Sequence, residues 1–204
     1  GGLMSAEYIP AALDLDVTGP AHPRRLALTL AQHLNAGDVL LLSGELGAGK
    51  TTFTRSLGEG LGVREGVISP TFVLSRVHLN LPDGPRPGGP DLVHVDAYRL
   101  SSAEELDDLD LEFSLPRSVT VIEWGRDKAE HLSDSRLELD FTRLTGADAR
   151  FAYSAVEEFS WDDEDEDESD EDADTPEPRL LRVRAFGPRW EHAFDALKEA
   201  LQSA

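Results

Sequence analysis

Gly44-Glu45-Leu46-Gly47-Ala48-Gly49-Lys50-Thr51 follows the apolar run Val39-Leu40-Leu41-Leu42 after one residue, Ser43, and leads into a helix-compatible segment. Strand, glycine loop and helix in that order are the context in which the pattern G-x-x-x-x-G-K-[ST] cradles phosphate. Glycines at 44, 47 and 49 let the backbone turn tightly and aim successive N–H groups inward. Lys50 supplies a point charge for the β and γ phosphates, the Thr51 hydroxyl suits Mg²⁺, and the helix directs its N-terminal dipole at the anion. The candidate nucleotide contacts are therefore Glu45, Leu46, Gly47, Ala48, Gly49, Lys50, Thr51 and Thr52.

Composition excludes several classes. The 204 residues suit one domain with a real core. Without cysteine there are neither disulfides nor thiolate metal sites, which fits a cytoplasmic protein. No apolar run approaches the ~20 residues of a membrane span. Gly1 to Leu3 read as a remnant ahead of a natural start at Met4, so the domain is expected over residues 4–204. The six histidines show no metal-ligand spacing and read as core or surface residues.

The net charge of −21 is concentrated: Glu157 to Asp174 carries 13 acids and no Lys or Arg, leaving −8 for everything else. Such a polyanion self-repels and cannot bury apolar area, so a disordered acidic insertion is expected at about 157–178, between two ordered strands. Its acidity argues against a direct nucleic-acid surface, because phosphate contacts need Lys and Arg.

Periodicity places the other elements. Strands are expected at Leu13 to Val17, Val39 to Leu42, Val73 to Leu79, Leu92 to Val95, Ser118 to Ile122, Arg136 to Phe141, Arg150 to Val156 and Leu180 to Phe186. One helix spans Arg24 to Leu34, and a second runs from the phosphate loop to about Leu57, stopped by Gly58, Gly60 and Gly62. Asn80 to Pro90, with four prolines and three glycines, reads as a long hairpin loop that makes its flanking strands antiparallel. Ser101 or Ser102 caps a short helix, and Trp190, Phe194, Leu197 and Leu201 line one face of a terminal helix.

A phosphate loop needs an acid at a neighbouring strand end to hold Mg²⁺ or its waters. Asp96 follows L-V-H-V and Glu123 follows V-T-V-I. One acid orders the metal shell and the other accepts a proton from, or orients, the attacking water; the sequence leaves open which does which. Ser69-Pro70-Thr71-Phe72 pairs a rigid proline with a hydroxyl suited to sensing the γ-phosphate.

The set G-E-L-G-A-G-K-T-T, I-S-P-T-F, H-V-D-A-Y-R-L and V-I-E-W-G, in this order over about Ala27 to Phe141, resembles the bacterial TsaE (YjeE) family. The resemblance implies a Mg²⁺-dependent ATPase required for threonylcarbamoyladenosine (t6A) modification of tRNA, supporting turnover of TsaB and TsaD-type partners and meeting tRNA only through that complex. It gives Lys50 and Thr51 the phosphate and Mg²⁺ roles, makes Ser69 to Phe72, with Thr71, a switch-like loop, names Asp96 and Glu123 as catalytic acids, and seats Trp124 beside the nucleotide. Two features depart from the family pattern: the extra length at 80–90 and 162–174, and the run G-R-D-K after the tryptophan.

Rival classes fit less well. A small-molecule kinase needs an arginine-rich lid, and no arginine cluster appears; a regulatory GTPase needs N-K-x-D, which is absent. A non-hydrolysing nucleotide-gated binding module shares every residue named above. The fold expected is an α/β, three-layer phosphate-loop NTPase: a mainly parallel sheet of roughly seven strands with an antiparallel hairpin.

Overall fold

The computed structural model describes residues 11–17, 21–44, 50–65, 67–68, 75–98, 100–108, 110–143 and 179–204. The expected strand at 150–156, the acidic segment at 157–178 and residues 1–3 lie outside them. So do Glu45 to Gly49, Ser69 to Phe72 and Arg99.

Eight strands form one sheet: β1 (Ala11–Asp16), β2 (Val39–Gly44), β3 (Val67–Ile68), β4 (Ser75–His78), β5 (Asp91–Asp96), β6 (Ser118–Glu123), β7 (Arg136–Arg143) and β8 (Arg179–Phe186). Their order is β1-β8-β7-β2-β6-β5-β4-β3. The central strands β7, β2, β6 and β5 are parallel, and the sheet reverses at β4 and at β8. The β4–β5 pair is antiparallel, as the proline-rich connection implies. A second antiparallel run, β7-β8-β1, closes the other edge, and two-residue β3 was too short to read from periodicity. The majority of strands still point one way, so the mainly parallel α/β expectation holds.

Alternation along the strands sorts the core into two layers. Leu40 and Leu42 of β2, with Leu92, Val119, Val121, Leu137 and Leu139, pack against helices α1 (Ala21–Ala31), α2 (Lys50–Leu61) and α5 (Phe194–Ser203). Val39 and Leu41, with Val93, Val95 and Ile122, face the other side, where α3 (Ala103–Asp107) contributes Leu106. Strand β2 is thus apolar on both faces, the signature of a central parallel strand. Each fully buried leucine contributes roughly 1.5–3 kcal/mol.

Two helix limits differ from expectation. Helix α1 begins at Ala21 with Pro23 in its first turn, where the missing N–H costs nothing, and ends at Ala31. Arg86 of the proline-rich loop donates to the carbonyls of Ala31 (2.7 Å) and Leu34 (3.0 Å), closing that end from outside the helix. Helix α2 runs through Gly58 and Gly60 to Leu61. A Cβ at Gly60 would lie 2.7 Å from that of Ala31, so this glycine serves close α1–α2 packing; the actual stop is Gly62, at φ +77°. Ser102, not Ser101, caps α3 through the Glu105 N–H (3.2 Å). The terminal helix is two, α4 (Pro188–Glu191) and α5, and all four predicted apolar residues are buried. Arg189 fixes α4 by gripping Asp38 at 2.9 and 3.0 Å and the His33 carbonyl at 2.9 Å. No described helix is long and apolar enough to cross a membrane.

Candidate nucleotide site

Strand β2 ends at Gly44, whose φ of +143° and proximity to β7 exclude a side chain: a Cβ there would meet the Phe141 carbonyl at 2.5 Å. Helix α2 starts at Lys50, so the two ends of the glycine loop are set by a central strand and a helix packed on α1. Lys50 is 6% exposed. Its ammonium donates to the Gly44 carbonyl at 2.9 Å and lies 3.8 Å from the centre of the Trp124 ring. Burial pushes its pKa below the usual lysine range, against the opposing pull of Glu123 and Asp96. A cation so desolvated is poised to accept an anionic partner.

Register brings the two acids together. Strands β5 and β6 are parallel, with Asp96 opposite Glu123, and Glu123 is in turn opposite Leu42 of β2. Because Leu92, Val119 and Val121 face α2, alternation puts His94, Asp96 and Glu123 on that same face, toward Lys50. Asp96 accepts from the Tyr98 N–H at 3.0 Å. Its carboxyl is pushed above the usual range by burial first and by Glu123 in addition, while the Tyr98 N–H, His94 and Lys50 pull the other way. Two carboxylates side by side, one of them desolvated, form an oxygen set suited to a hard divalent cation that takes its remaining ligands from phosphate and water. Among the described residues there is no group of three or more His, Cys, Asp or Glu that could hold a metal ion.

His94, which the sequence placed among the core and surface histidines, lies beside Glu123. Its Nε2 lies 2.6 Å from Glu123 Oε2, and both side chains are largely withdrawn from solvent. The available signal was its spacing of two from Asp96 on one strand face; the partner, 29 positions away, depends on register.

Trp124 follows Glu123 in the left-handed region, at φ +63°, with its N–H on the Leu42 carbonyl at 2.8 Å. Its ring meets Tyr98 edge to face at 5.3 Å. This conformation costs on the order of 1–3 kcal/mol and turns the indole over Lys50. Gly125 is required next, since a Cβ there would lie 2.8 Å from Ile122 Cγ2. Of the remaining candidates, Thr51 lies in the first turn of α2 and Thr52 is exposed beside it. Glu45, Leu46, Gly47, Ala48, Gly49 and Thr71 fall outside the described residues.

Comparison with known proteins agrees with the motifs. The family described as threonylcarbamoyl adenosine biosynthesis protein TsaE matches residues 18–151. The tRNA threonylcarbamoyladenosine biosynthesis protein TsaE of Streptomyces coelicolor is 59% identical over 124 residues, covering 60% of this chain and 80% of that protein. Proteins of the same name from Mycobacterium tuberculosis and Bacillus subtilis are 44% and 36% identical, covering 62% and 67% of this chain and 77% and 82% of theirs. The crystal structure of Bacillus subtilis YdiB superposes with a TM-score of 0.60 at 24% identity, over 94% of this chain and 97% of that one, a likeness of fold. With a family match across more than half its length, this chain belongs to the TsaE family of tRNA threonylcarbamoyladenosine biosynthesis proteins.

Proposed function

We propose that the chain is a Mg²⁺-dependent ATPase whose hydrolysis supports turnover of TsaB and TsaD-type partners during t6A synthesis in the cytoplasm, with tRNA reached through that complex. The observation that carries the reading is the register pairing of Asp96 with Glu123 on the face of the sheet that presents Lys50.

Lys50 leaves the Gly44 carbonyl for the β and γ phosphates, exchanging a neutral acceptor for charged ones. Mg²⁺, when bound, neutralises charge on the phosphate oxygens. The Thr51 hydroxyl and Asp96 would hold its shell, and Thr71 is the residue assigned to sensing the γ-phosphate. Glu123 orients the attacking water and takes its proton, with one carboxylate oxygen fixed by His94 and the other left for that water. Trp124 shields Lys50 from bulk water.

Phosphate release from Mg²⁺-ATP by the purified chain, alone and with its TsaB and TsaD-type partners, tests the proposal. Turnover that rises with the partners and disappears in Glu123→Ala supports it. Normal hydrolysis by Glu123→Ala refutes the role given to that acid.

A further inference from the structure

Two turns at the carboxyl edge of the sheet carry the site acids: Asp96-Ala97-Tyr98, which leaves β5, and Glu123-Trp124-Gly125, which leaves β6. After the second comes Arg126-Asp127-Lys128, part of the run that departs from the family pattern. Lys128 Nζ donates to the Ala97 carbonyl at 2.8 Å, 31 positions back along the chain. We propose that Lys128 is a positioning residue for the divalent-cation side of the site: it clasps the Asp96 turn to the Trp124 turn and so fixes how the Asp96 carboxylate is presented. The inference rests on the phosphate-loop ATPase reading above and adds to it a residue that no motif singled out.

The Ala97–Tyr98 peptide is the link. Its carbonyl is held by Lys128, and its N–H, on Tyr98, is the donor that grips Asp96 Oδ1 at 3.0 Å. Because a peptide is planar and rigid, a hold on the carbonyl sets the direction of the N–H, and with it the carboxylate. A cation on the carbonyl also polarises the peptide and strengthens that N–H as a donor. Ala97 is fixed elsewhere as well: its N–H reaches the Glu123 carbonyl at 2.9 Å, its carbonyl also accepts the Leu100 N–H at 3.1 Å, and its side chain is fully buried with Val95 and Ile122. The Lys128 bond is the one among these contacts that a side-chain substitution removes.

Lys128 can reach Ala97 because its own turn is locked. Trp124 and Asp127 are both left-handed, at φ +63° and +71°. The Gly125 carbonyl accepts the N–H groups of Lys128 at 2.9 Å and Ala129 at 2.8 Å, and the Asp127 N–H donates to Glu130 at 2.7 Å. Arg126 donates to both oxygens of Asp140 on β7, at 2.6 and 2.7 Å. The two cations of the run therefore pull in opposite directions along the sheet edge, Arg126 toward β7 and Lys128 toward β5. Tyr98 and Trp124, edge to face at 5.3 Å, close the gap between the turns. Partners that orient a metal's carboxylate from outside its shell commonly set the affinity of the site.

The test is calorimetric ATP binding with Mg²⁺ and with EDTA, in wild type, Lys128→Met and Lys128→Arg. Methionine keeps an unbranched stem without a donor, and arginine restores donors. Circular dichroism and thermal melting confirm that each variant is folded. In Lys128→Met the factor by which Mg²⁺ tightens ATP should fall about fivefold or more, with affinity in EDTA within about twofold of wild type, and Lys128→Arg should recover most of the loss. An unchanged Mg²⁺ factor in folded Lys128→Met overturns the proposal. So does an equal loss with and without Mg²⁺, or a loss that Lys128→Arg leaves unrepaired, since either assigns Lys128 to general folding. Wild type that binds ATP equally with Mg²⁺ and with EDTA overturns the metal assignment and the role of Lys128 together. The expected series of affinities, with no phosphate released even beside the partners, overturns the ATPase reading and leaves Lys128 its role.

Discussion

His94 Nε2 lies 2.6 Å from Oε2 of Glu123, across two parallel strands whose register also sets Asp96 beside the same carboxylate. The histidine touches no other site residue through this bond, so its expected part is to hold the acid at one angle. His94→Ala should lower kcat for ATP hydrolysis by about tenfold or more while the ATP dissociation constant stays within about twofold. His94→Gln, which restores a donor, should recover part of the loss. Steady-state kinetics with parallel binding measurements checks this; equal loss of affinity and turnover would assign His94 to folding instead.

Lys50 is the buried cation of the site, held by Gly44 and Trp124. Lys50→Ala should weaken ATP by about 100-fold or more, on the order of 3 kcal/mol of charge-assisted contact. Without nucleotide its melting temperature should change little, because removal also relieves the burial of a charge. Thermal melting with and without Mg²⁺-ATP separates the two: wild type gains stability from the ligand and the variant does not.

Trp124 occupies a left-handed conformation at φ +63°. Trp124→Ala and Trp124→Gly both remove the ring, yet only glycine accepts that backbone freely, so the glycine variant should be about 1 kcal/mol more stable than the alanine variant. Urea unfolding of the pair measures the difference, and a more stable alanine variant would refute it.

Arg143 and Arg179 are directly opposite one another at the end of the β7–β8 ladder. Replacing residues 144–178 by Asn-Gly should therefore close a two-residue hairpin on the β7–β8 ladder and keep ATP binding. Circular dichroism and calorimetric ATP binding check this, and loss of the fold would contradict it.

Arg189 joins the chain after that segment to the turn before β2 through Asp38, which is buried. Arg189→Ala leaves Asp38 without its cation and should cost about 2–4 kcal/mol in urea unfolding.

That Asp96 and Glu123 close neighbouring strands was legible because an acid ending an apolar run is a local signal, as were the strand before the glycine pattern and the helix after it. His94 was not, because its contact is set by register with a strand far along the chain. Gly58 and Gly60 read as helix breakers on propensity alone, yet α2 runs through both, with Gly60 packed against Ala31 and Leu28 of α1 and Gly58 against Leu92 and Val63. The alternation of Arg136, Glu138 and Asp140 with Leu137, Leu139 and Phe141 announced a two-faced strand. That the charged face would gather Arg126 and Arg184 around Asp140 depends on which strand lies beside it, and no periodicity carries that.

The central claim is ATP hydrolysis at Lys50 and Glu123 in the service of tRNA modification. Multiple-turnover t6A formation on a substrate tRNA, with purified partner proteins, ATP, Mg²⁺, threonine and bicarbonate, tests it most directly. The account predicts that product passes one turnover only when the wild-type chain is present and stalls near one with Glu123→Ala. Equal product with and without the chain, from partners that are active, would contradict it.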